Sequence, residues 1–265
     1  MTFNAGSAPE ALSPPPMDVR RLALFLDMDG VLASLAPTPD AVLPDPRRTA
    51  VLRRLGVALE GRLAVISGRT LDEIDRITEA ASPAASGIHG LQLRTHPGAA
   101  RTSVEDPAVR RVVAAFKAFA AEHPGVIVED KGVAAGLHYR QAPTAAAEAE
   151  HLARNLATET GLALQPGHMI FELKTPGTDK GTALTTLMTE APFTDGVPVM
   201  FGDDQTDEHA FRAAKALGGF GVLVGPMRQT DASYRLDGVP QVLDWLEALA
   251  DAIPRATSKL EKAEA

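Results

Sequence analysis

The sequence predicts an α/β fold: a Rossmann-like core with a parallel sheet and helices on both faces, plus an inserted α+β cap domain. The first observation is a set of four short apolar runs bounded by glycines or polar loops, namely LALFL at 22–26, LAVI at 63–66, VPVMF at 197–201 and FGVLV at 220–224. The second is that helical patterns lie beside them, as in PDPRRTAVLRRLGVALE at 44–60 and TLDEIDRITEA at 70–80. Such alternation is typical of buried parallel strands with crossover helices.

The segment 96–174 has a different pattern. Helix-like PAVRRVVAAFKAFAAEH precedes VIVED and the alternating VAAGLHYR, and helix-like TAAAEAEHLARNLATET precedes LALQ and HMIFELK. Two helices interleaved with paired strands indicate helices packed on one face of a small antiparallel sheet. We therefore expect a core domain at 21–95 and 175–253 and a cap, acting as a lid, at 96–174. The proline-rich residues 1–20 and the polar residues 254–265 are predicted to be flexible tails.

The composition excludes several classes of partner and site. A net charge of −8 without a run of Lys or Arg argues against nucleic acid. No apolar run approaches the roughly 18 residues that a membrane span requires. The chain contains 0 cysteines, so disulfides and thiolate metal sites are excluded and any metal should be a hard cation. A small anionic substrate remains compatible with the charge, because local cations and a bound metal outweigh a negative average field.

The N-terminal residues carry no basic cluster leading into an apolar stretch. This pattern lacks the features of a secretory signal and predicts a cytoplasmic protein. The sequence does not determine the oligomeric state and leaves a monomer as one alternative.

Asp27 and Asp29 follow the first apolar run, in the motif DMDG. Open α/β sheets place their ligand crevice at the carboxyl ends of the strands. Alternation along a strand points both carboxylates the same way unless the chain turns at Gly30. The alternative is a solvated turn, since so short a motif also occurs by chance. An EF-hand is excluded, because its loop needs Gly at the sixth position and Glu at the twelfth.

Four acidic residues follow the third run in GDDQTDEH, namely Asp203, Asp204, Asp207 and Glu208. Carboxylates this close repel one another unless a cation or several donors compensate, and a hard divalent cation is the simplest explanation. Asp203 lies directly after the strand and is the better ligand. The alternative for Asp204 and Asp207 is that they cap the helix that begins near Thr206.

A hydroxyl and a cation complete the set of candidate residues. Ser67 and Gly68, in ISGRT, precede a helical segment, whose free N–H groups would cradle a phosphate. The alternative for Ser67 is a simple N-cap. Lys180, in GTDKGTAL, lies in the first turn of a predicted helix, where a cation opposes the helix dipole unless an anion compensates. The alternative is a surface lysine.

The argument depends on these residues as a set. Asp27, Ser67, Lys180 and Asp203 each lie near a strand end or a helix start, in an order that lets one crevice collect them. Phosphoryl transfer needs a nucleophile, a metal that bridges it to the phosphate, fixed donors for the phosphate oxygens and an acid for the leaving oxygen. The sequence therefore predicts a metal-dependent phosphatase.

The same residues resemble the four motifs of the haloacid dehalogenase superfamily of phosphatases: D-x-D-G-[TV], a Ser or Thr, a Lys and an acidic G-D-D loop. The resemblance implies that Asp27 forms an aspartyl-phosphate, and that Asp29 protonates the leaving alcohol and then activates water. It implies that the phosphate is held by Ser67, Gly68, Arg69 and Lys180. It also implies a Mg²⁺ cofactor bound by Asp27, the backbone carbonyl of Asp29 and Asp203, with Asp204 and Asp207 as supporting residues.

Longer motifs resemble the trehalose-6-phosphate phosphatases over about residues 22–250: SGR at 67–69, GIHG at 87–90, EDKG at 129–132, HYR at 138–140, GTDKG at 177–181 and GDDQTDEHAF at 202–211. In that family the cap closes over the sugar. The resemblance implies that trehalose hydroxyls are bound by Glu129, Lys131, Arg140 and Glu172. The alternative is that these four form ordinary ion pairs on a solvated sheet face.

Other positions near the motifs are expected to be supports, and two depart from the family. His89 and His138 are predicted to support the site, because a carboxylate already supplies acid and base. Val31 stands where the family usually has Thr, and Lys174 where it often has Arg.

The expected reaction is hydrolysis of trehalose 6-phosphate to trehalose and inorganic phosphate, the last step of trehalose biosynthesis. Alternatives of the same fold class are a phosphatase for sucrose phosphate or a glucosylglycerate-type substrate, or a phosphohexomutase. An alternative of another class is a non-catalytic domain that senses a sugar phosphate.

Overall fold

The computed structural model describes residues 12–103, 106–167 and 169–253, and these form two sheets with helices. The strands are β1 Leu22–Leu26, β2 Leu63–Ile66, β3 Ala84–Gly87, β4 Gln92–Arg94, β5 Ala100–Thr102, β6 Ile127–Asp130, β7 Ala134–His138, β8 Ala163–Gly167, β9 Ile170–Lys174, β10 Val197–Gly202, β11 Phe220–Val224 and β12 Tyr234–Leu236. The helices are α1 Pro46–Ala58, α2 Leu71–Thr78, α3 Pro107–Glu122, α4 Ala146–Thr160, α5 Lys180–Met188, α6 Glu208–Ala216 and α7 Val239–Ala252.

The larger sheet has the strand order β12-β11-β10-β1-β2-β3-β4-β5. Pairing is parallel from β12 to β3, and β4 and β5 add an antiparallel edge. Successive β1 side chains enter opposite cores: Leu24 packs with α1, α2 and α7, whereas Phe25 packs with α5 and α6. Because both faces are covered, these strands are apolar throughout. The predicted α/β fold with helices on both faces is therefore confirmed.

The smaller sheet is antiparallel, with the order β6-β7-β9-β8. One face carries Leu137, Phe171 and Leu173, which pack against apolar residues of α3 and α4. The opposite face lies towards the carboxyl ends of the parallel strands and lines a cleft. The predicted pattern of two helices on a small antiparallel sheet therefore describes this part of the chain.

The position at which the cap begins differs from the prediction. Residues 100–102 were assigned to the cap, but β5 pairs with β4 in the larger sheet. The antiparallel edge of the core thus extends beyond residue 95, and the second sheet begins with β6. The polar sequence of β5, ART, is exposed, so it carries no apolar signal that would have assigned it to the core.

The chain before β1 contacts the core in its described part. Trp245 Nε1 donates to Pro15 O at 3.1 Å, and Arg235 N donates to Ser13 O at 3.0 Å. Residues 13 and 15, which belong to the flexible tail predicted at 1–20, therefore contact the core. Residues 1–11 and the tail predicted at 254–265 lie outside the described residues. Among described residues, no helix is long and apolar enough to cross a membrane.

Candidate active site

Three adjacent parallel strands deliver the candidate residues to one edge of the larger sheet. Asp27 directly follows β1, Ser67 follows β2 and Asp203 follows β10, and β1 lies between the other two strands. Lys180 is the first residue of α5. All four residues line the cleft between this edge and the open face of the smaller sheet. The geometry therefore brings together the set that the sequence predicts.

Asp27 is buried at the base of the cleft, with both carboxylate oxygens in hydrogen bonds. Oδ1 accepts from Met28 N at 2.7 Å, and Oδ2 accepts from Lys180 Nζ at 2.8 Å. Burial raises the pKa of Asp27 above its usual value, although the Lys180 ammonium opposes the shift. Lys180 Nζ also donates to Asp207 Oδ1 at 2.8 Å. Lys180 thus joins the candidate nucleophile to the acidic loop and is not a surface lysine.

Two carboxylates compensate the buried ammonium of Lys180. Burial alone would lower the pKa of Lys180, but Asp207 and Asp27 outweigh it and hold the pKa well above the usual value. The cation unfavourably placed in the first turn of α5 is therefore stabilised by neighbouring anions.

Asp207 and Asp204 shape the acidic loop. Asp207 is fully buried, and its Oδ2 accepts from Asp203 N at 2.9 Å and Asp204 N at 3.1 Å. Asp204 Oδ1 accepts from Thr206 N at 2.8 Å, which is the capping role weighed for this residue. The two side chains therefore fix the backbone that presents Asp203.

The carboxylate oxygens of Asp27, Asp203 and Asp207 lie within 4.8 Å of one another and could hold a metal ion. Among the described residues, none donates a hydrogen bond to the Asp203 carboxylate. Burial and the nearby Asp207 and Asp204 carboxylates raise the pKa of Asp203 to about 7. A half-buried carboxylate that is repelled by neighbouring carboxylates and accepts no hydrogen bond is suited to a hard cation. This donor set fits a divalent metal.

Gly30 permits the close approach of the loop after β1, which contains Asp27, and the loop that contains Asp203. Its φ is +78°, and a Cβ there would lie 2.0 Å from Asp203 Oδ2. A side chain at this position would therefore push Asp203 away from Asp27, so only glycine is compatible with the cluster.

Ser67, Gly68 and Arg69 form a turn at the start of α2. Ser67 Oγ accepts from Arg69 N at 3.2 Å, whereas the N-cap of α2 is Thr70, which forms a capping box with Glu73. Ser67 is thus not the helix cap, and within the described part of the chain its hydroxyl donates to no acceptor, so it could donate to a ligand oxygen. This arrangement supplies a hydroxyl at a helix N-terminus, where anions are stabilised.

The guanidinium of Arg69 bonds the carboxylate of Asp29 at two points. Nε donates to Oδ2 at 2.7 Å and Nη2 donates to Oδ1 at 2.9 Å. The same side chain donates through Nη1 to Pro39 O at 3.0 Å and Glu73 Oε1 at 3.2 Å. The Asp29 side chain is therefore directed to Arg69 and is not one of the three clustered carboxylates.

Lys131 links the smaller sheet to the turn formed by residues 67–69. Its Nζ donates to Gly68 O at 2.8 Å and to Glu172 Oε2 at 2.5 Å, and lies 3.5 Å from Glu129 Oε2. Burial alone would lower the pKa of Lys131, but Glu172 and Glu129 outweigh it and raise the pKa. Three of the four predicted sugar-binding residues, Glu129, Lys131 and Glu172, thus form one partly buried ionic cluster.

Histidines support this cluster from both sides. His138 Nε2 lies 2.9 Å from Glu129 Oε2. Burial alone would raise the pKa of Glu129, but His138 and Lys131 hold it at about 2. His89, at the other side, lies beside Gly68, where a Cβ would be 2.6 Å from its Nε2. Burial lowers the pKa of His89 to about 4, so the ring is neutral at pH 7.

The structure also shows the surroundings of Arg140 and of Lys174 and Val31, the two residues that depart from the family pattern. Arg140 Nη1 donates to Ala36 O in the loop after β1, so the residue bridges the smaller sheet and the core. Lys174 is buried and donates to Thr178 O just before α5, and burial lowers its pKa. Val31 is fully buried in the apolar core that surrounds β1.

Sequence reasoning gave no role to Arg228. Its Nη2 donates to Asp204 O at 2.6 Å, its Nε donates to Asp203 O at 3.4 Å, and it is paired with Glu208. Glu208 in turn accepts from Asp231 N at 2.7 Å. The only signal was the segment VGPMRQTDASYRL, whose position opposite the acidic loop depends on the tertiary fold.

A sequence model described as trehalose-phosphatase matches residues 25–240 of the chain. The chain belongs to the trehalose-phosphatase family. It is 37% identical over 246 residues to the trehalose-6-phosphate phosphatase of Escherichia coli (strain K12), covering 92% of each chain. It is 37% identical over 225 residues to a probable trehalose-phosphate phosphatase of Sinorhizobium fredii, covering 84% of each.

Solved structures show the same fold as this member of the trehalose-phosphatase family. The C-terminal domain of Candida albicans trehalose-6-phosphate phosphatase matches with a TM-score of 0.79 at 21% identity, covering 92% of this chain and 99% of that one. The C-terminal domain of a Candida albicans trehalose synthase regulatory protein matches with a TM-score of 0.65 at 13% identity, covering 89% and 99%. Since a regulatory protein shares the fold, function must be argued from the residues of the site.

Proposed function

We propose that this protein hydrolyses trehalose 6-phosphate to trehalose and inorganic phosphate. Family membership supports the substrate, and one observation supports catalysis: Asp27 lies within one cleft with Asp29, Lys180 and Asp203. A non-catalytic sensing domain would not need a buried carboxylate cluster opposite a phosphate turn.

Asp27 is the proposed nucleophile. One of its carboxylate oxygens attacks phosphorus, and the bond between phosphorus and the sugar oxygen breaks while that oxygen takes a proton from Asp29. Water then attacks the aspartyl-phosphate, Asp29 accepts the water proton, and the bond to Asp27 breaks to release inorganic phosphate. Splitting the hydrolysis into two displacements lowers the barrier of each.

Arg69 and Asp29 change partners in this scheme. Both carboxylate oxygens of Asp29 accept from the guanidinium, so Asp29 must leave Arg69 before it can contact the leaving oxygen of the sugar. A phosphate in the cleft offers Arg69 equivalent acceptors, because a guanidinium fork matches phosphate oxygens as well as carboxylate oxygens. Substrate binding would therefore free Asp29 for acid catalysis and let Arg69 join Ser67, Gly68 and Lys180 on the phosphate.

The cofactor proposed is Mg²⁺. Asp203 is the strongest candidate ligand, with Asp27 beside it, whereas the carboxylate of Asp207 already accepts three hydrogen bonds, one from Lys180 and two from the backbone of its own loop. Asp207 and Asp204 are therefore supports, and ligation by the backbone carbonyl of Asp29 stays a prediction. When bound, the ion neutralises charge between the nucleophile and the phosphate and orients both.

The open face of the smaller sheet is the proposed sugar site. This face and the carboxyl ends of the parallel strands line one cleft that is open to solvent. Glu129, Lys131 and Glu172 line it and would exchange some of their mutual contacts for sugar hydroxyls. Arg140 lines the same cleft and already bridges to the core loop at Ala36.

Phosphate release from trehalose 6-phosphate, with and without a chelator, tests the substrate and the metal together. We expect turnover with Mg²⁺, loss of turnover with chelator and recovery when Mg²⁺ is restored. Asp27→Asn should remove turnover, while the matched change at the exposed Asp18, Asp18→Asn, should not. Normal phosphate release by Asp27→Asn would exclude the nucleophilic role.

A panel of sugar phosphates separates the rival substrates. Preference for sucrose phosphate or a glucosylglycerate-type substrate would overturn the proposed substrate, an isomerised product would indicate a mutase, and tight binding without turnover would indicate a sensing domain. The cytoplasmic location and the absence of nucleic acid partners stay predictions.

A further inference from the structure

A row of four residues crosses the open face of the smaller sheet in register. Glu129 on β6 is paired with Gly136 on β7, Gly136 with Glu172 on β9, and Glu172 with Gln165 on β8. Neighbouring strands lie about 4.8 Å apart, so the row spans roughly 14 Å. Gln165, at the far end of this row, has no role in the reaction described so far.

The side chain of Gln165 points into the cleft. Its neighbour Leu164 packs with the apolar residues under α3 and α4, and successive side chains of a strand alternate between faces. Gln165 lines the same cleft as Asp27 and Glu172. It therefore shares the substrate-facing side of the sheet with the ionic cluster.

Gly136 is the residue of this row that has no side chain, and two neighbouring side chains lie close to it. A Cβ there would lie 3.1 Å from Ile170 Cδ1 and 3.4 Å from Glu129 Oε2. A larger side chain at this position would fill the surface between the two glutamates. The row thus forms a shallow floor with carboxylates on either side of Gly136 and an amide beyond Glu172.

The amide of Gln165 is half-buried and, within the described ranges, makes no side-chain hydrogen bond. Glu172 and Glu129, by contrast, are already bonded to Lys131 and His138. An amide both donates and accepts, which matches a sugar hydroxyl, and a half-buried polar group without a partner favours binding a ligand that supplies one.

We propose that Gln165 binds a hydroxyl of the sugar and is a specificity-determining residue of this phosphatase. The inference rests on the proposed function and extends it to a residue at the edge of the cap sheet. Because the contact is to the sugar and not to the reacting phosphate, it should strengthen binding of trehalose 6-phosphate without altering the chemical step.

Two variants of Gln165 separate hydrogen bonding from packing. Gln165→Ala removes the side chain, and Gln165→Met keeps its length but not its amide. We expect both to raise KM for trehalose 6-phosphate roughly 3- to 10-fold, as for the loss of one neutral hydrogen bond, with kcat within about twofold. Gln241→Ala, at an exposed glutamine of α7, is the matched control and should leave both constants unchanged.

A substrate without a sugar provides the second readout. With p-nitrophenyl phosphate, kcat/KM of both Gln165 variants should equal that of the wild type, which also shows that the variants are folded. The inference is overturned if KM for trehalose 6-phosphate is unchanged, if Gln165→Met behaves like the wild type, or if both substrates are affected equally. Wild-type turnover of p-nitrophenyl phosphate but not of trehalose 6-phosphate would instead overturn the proposed function, and this inference with it.

Discussion

Arg69 and Asp29, 40 residues apart in the chain, form a two-point ion pair in the cleft that also contains Asp27. In the proposed mechanism Arg69 is a phosphate ligand and Asp29 is the acid. Each of the two side chains therefore has to exchange this contact for one with the substrate. The ion pair compensates the charge of the guanidinium and that of the carboxylate within the cleft.

Replacing the fork of Arg69 by a single ammonium should weaken phosphate binding. Arg69→Lys keeps the charge but cannot make two parallel hydrogen bonds. Charged hydrogen bonds contribute about 1.5 to 3 kcal/mol, so kcat/KM for trehalose 6-phosphate should fall roughly 10- to 100-fold. The inhibition constant of inorganic phosphate should rise in parallel. Arg154→Lys on α4 is the control, and unchanged phosphate inhibition in Arg69→Lys would remove Arg69 from the phosphate site.

Removing the charge of Asp203 should stabilise the metal-free protein. The carboxylate is half-buried beside Asp207 and Asp204 without a hydrogen-bond donor among the described residues. Asp203→Asn should therefore raise the free energy of unfolding in chelator by about 1 to 2 kcal/mol. Such an increase is common when a residue that serves function at the expense of stability is replaced. Adding Mg²⁺ should raise the Tm of the wild type but not of the variant.

The control for this experiment is Asp18→Asn, at an exposed position. It should match the wild type both in chelator and in Mg²⁺. A Mg²⁺-dependent rise in Tm that persists in Asp203→Asn would mean that the ion binds without this ligand.

The sequence predicted the strands that have a strong apolar signal and missed those that do not. β1, β2, β10 and β11 are apolar runs between helices, and all four were predicted within one residue. β3 has the sequence AASG and is fully buried, but small residues give no apolar run. β4, β5 and β12 have 3 residues each and contain polar side chains, so their pairing depends on the sheet that they join.

The same distinction applies to the site. Asp27, Ser67 and Asp203 were predicted to converge because parallel strands end at one edge of a sheet, and this follows from topology alone. The contact between Lys131 and Gly68 O joins residues 63 apart and depends on how the smaller sheet packs over the core. Side-chain partners of this kind follow from tertiary geometry, which no local pattern encodes.

Glu129 should make the protein sensitive to acid. Its pKa is lowered from the usual 4.5 to about 2 because His138 and Lys131 outweigh the effect of burial. A lowered pKa gives stability that is complete above pH 4.5 and is lost as the pH falls towards 2, by at most about 3 kcal/mol. Glu129→Gln lacks this contribution, so its free energy of unfolding should fall less steeply over that interval.

Urea unfolding between pH 6 and pH 2.5 measures this slope. Glu150→Gln, on the exposed side of α4, should retain the wild-type slope. An identical slope in Glu129→Gln and the wild type would show that the ionic cluster does not control acid stability.

Arg228 should control metal affinity through the backbone of the acidic loop. It donates to the carbonyls of Asp203 and Asp204, so it holds the segment that presents the candidate metal ligand. Residues that orient metal ligands typically contribute 10- to 100-fold to affinity, and Arg228→Ala should raise the Mg²⁺ concentration needed for half-maximal turnover by roughly that factor. Because Asp203 itself is retained, saturating Mg²⁺ should restore most of kcat.

Arg212→Ala, the control for this experiment, removes a nearby exposed arginine paired with Asp231 and should leave the Mg²⁺ dependence unchanged. If Arg228→Ala lowers kcat at every Mg²⁺ concentration without shifting the midpoint, Arg228 acts on the chemical step or on folding and not on the metal loop.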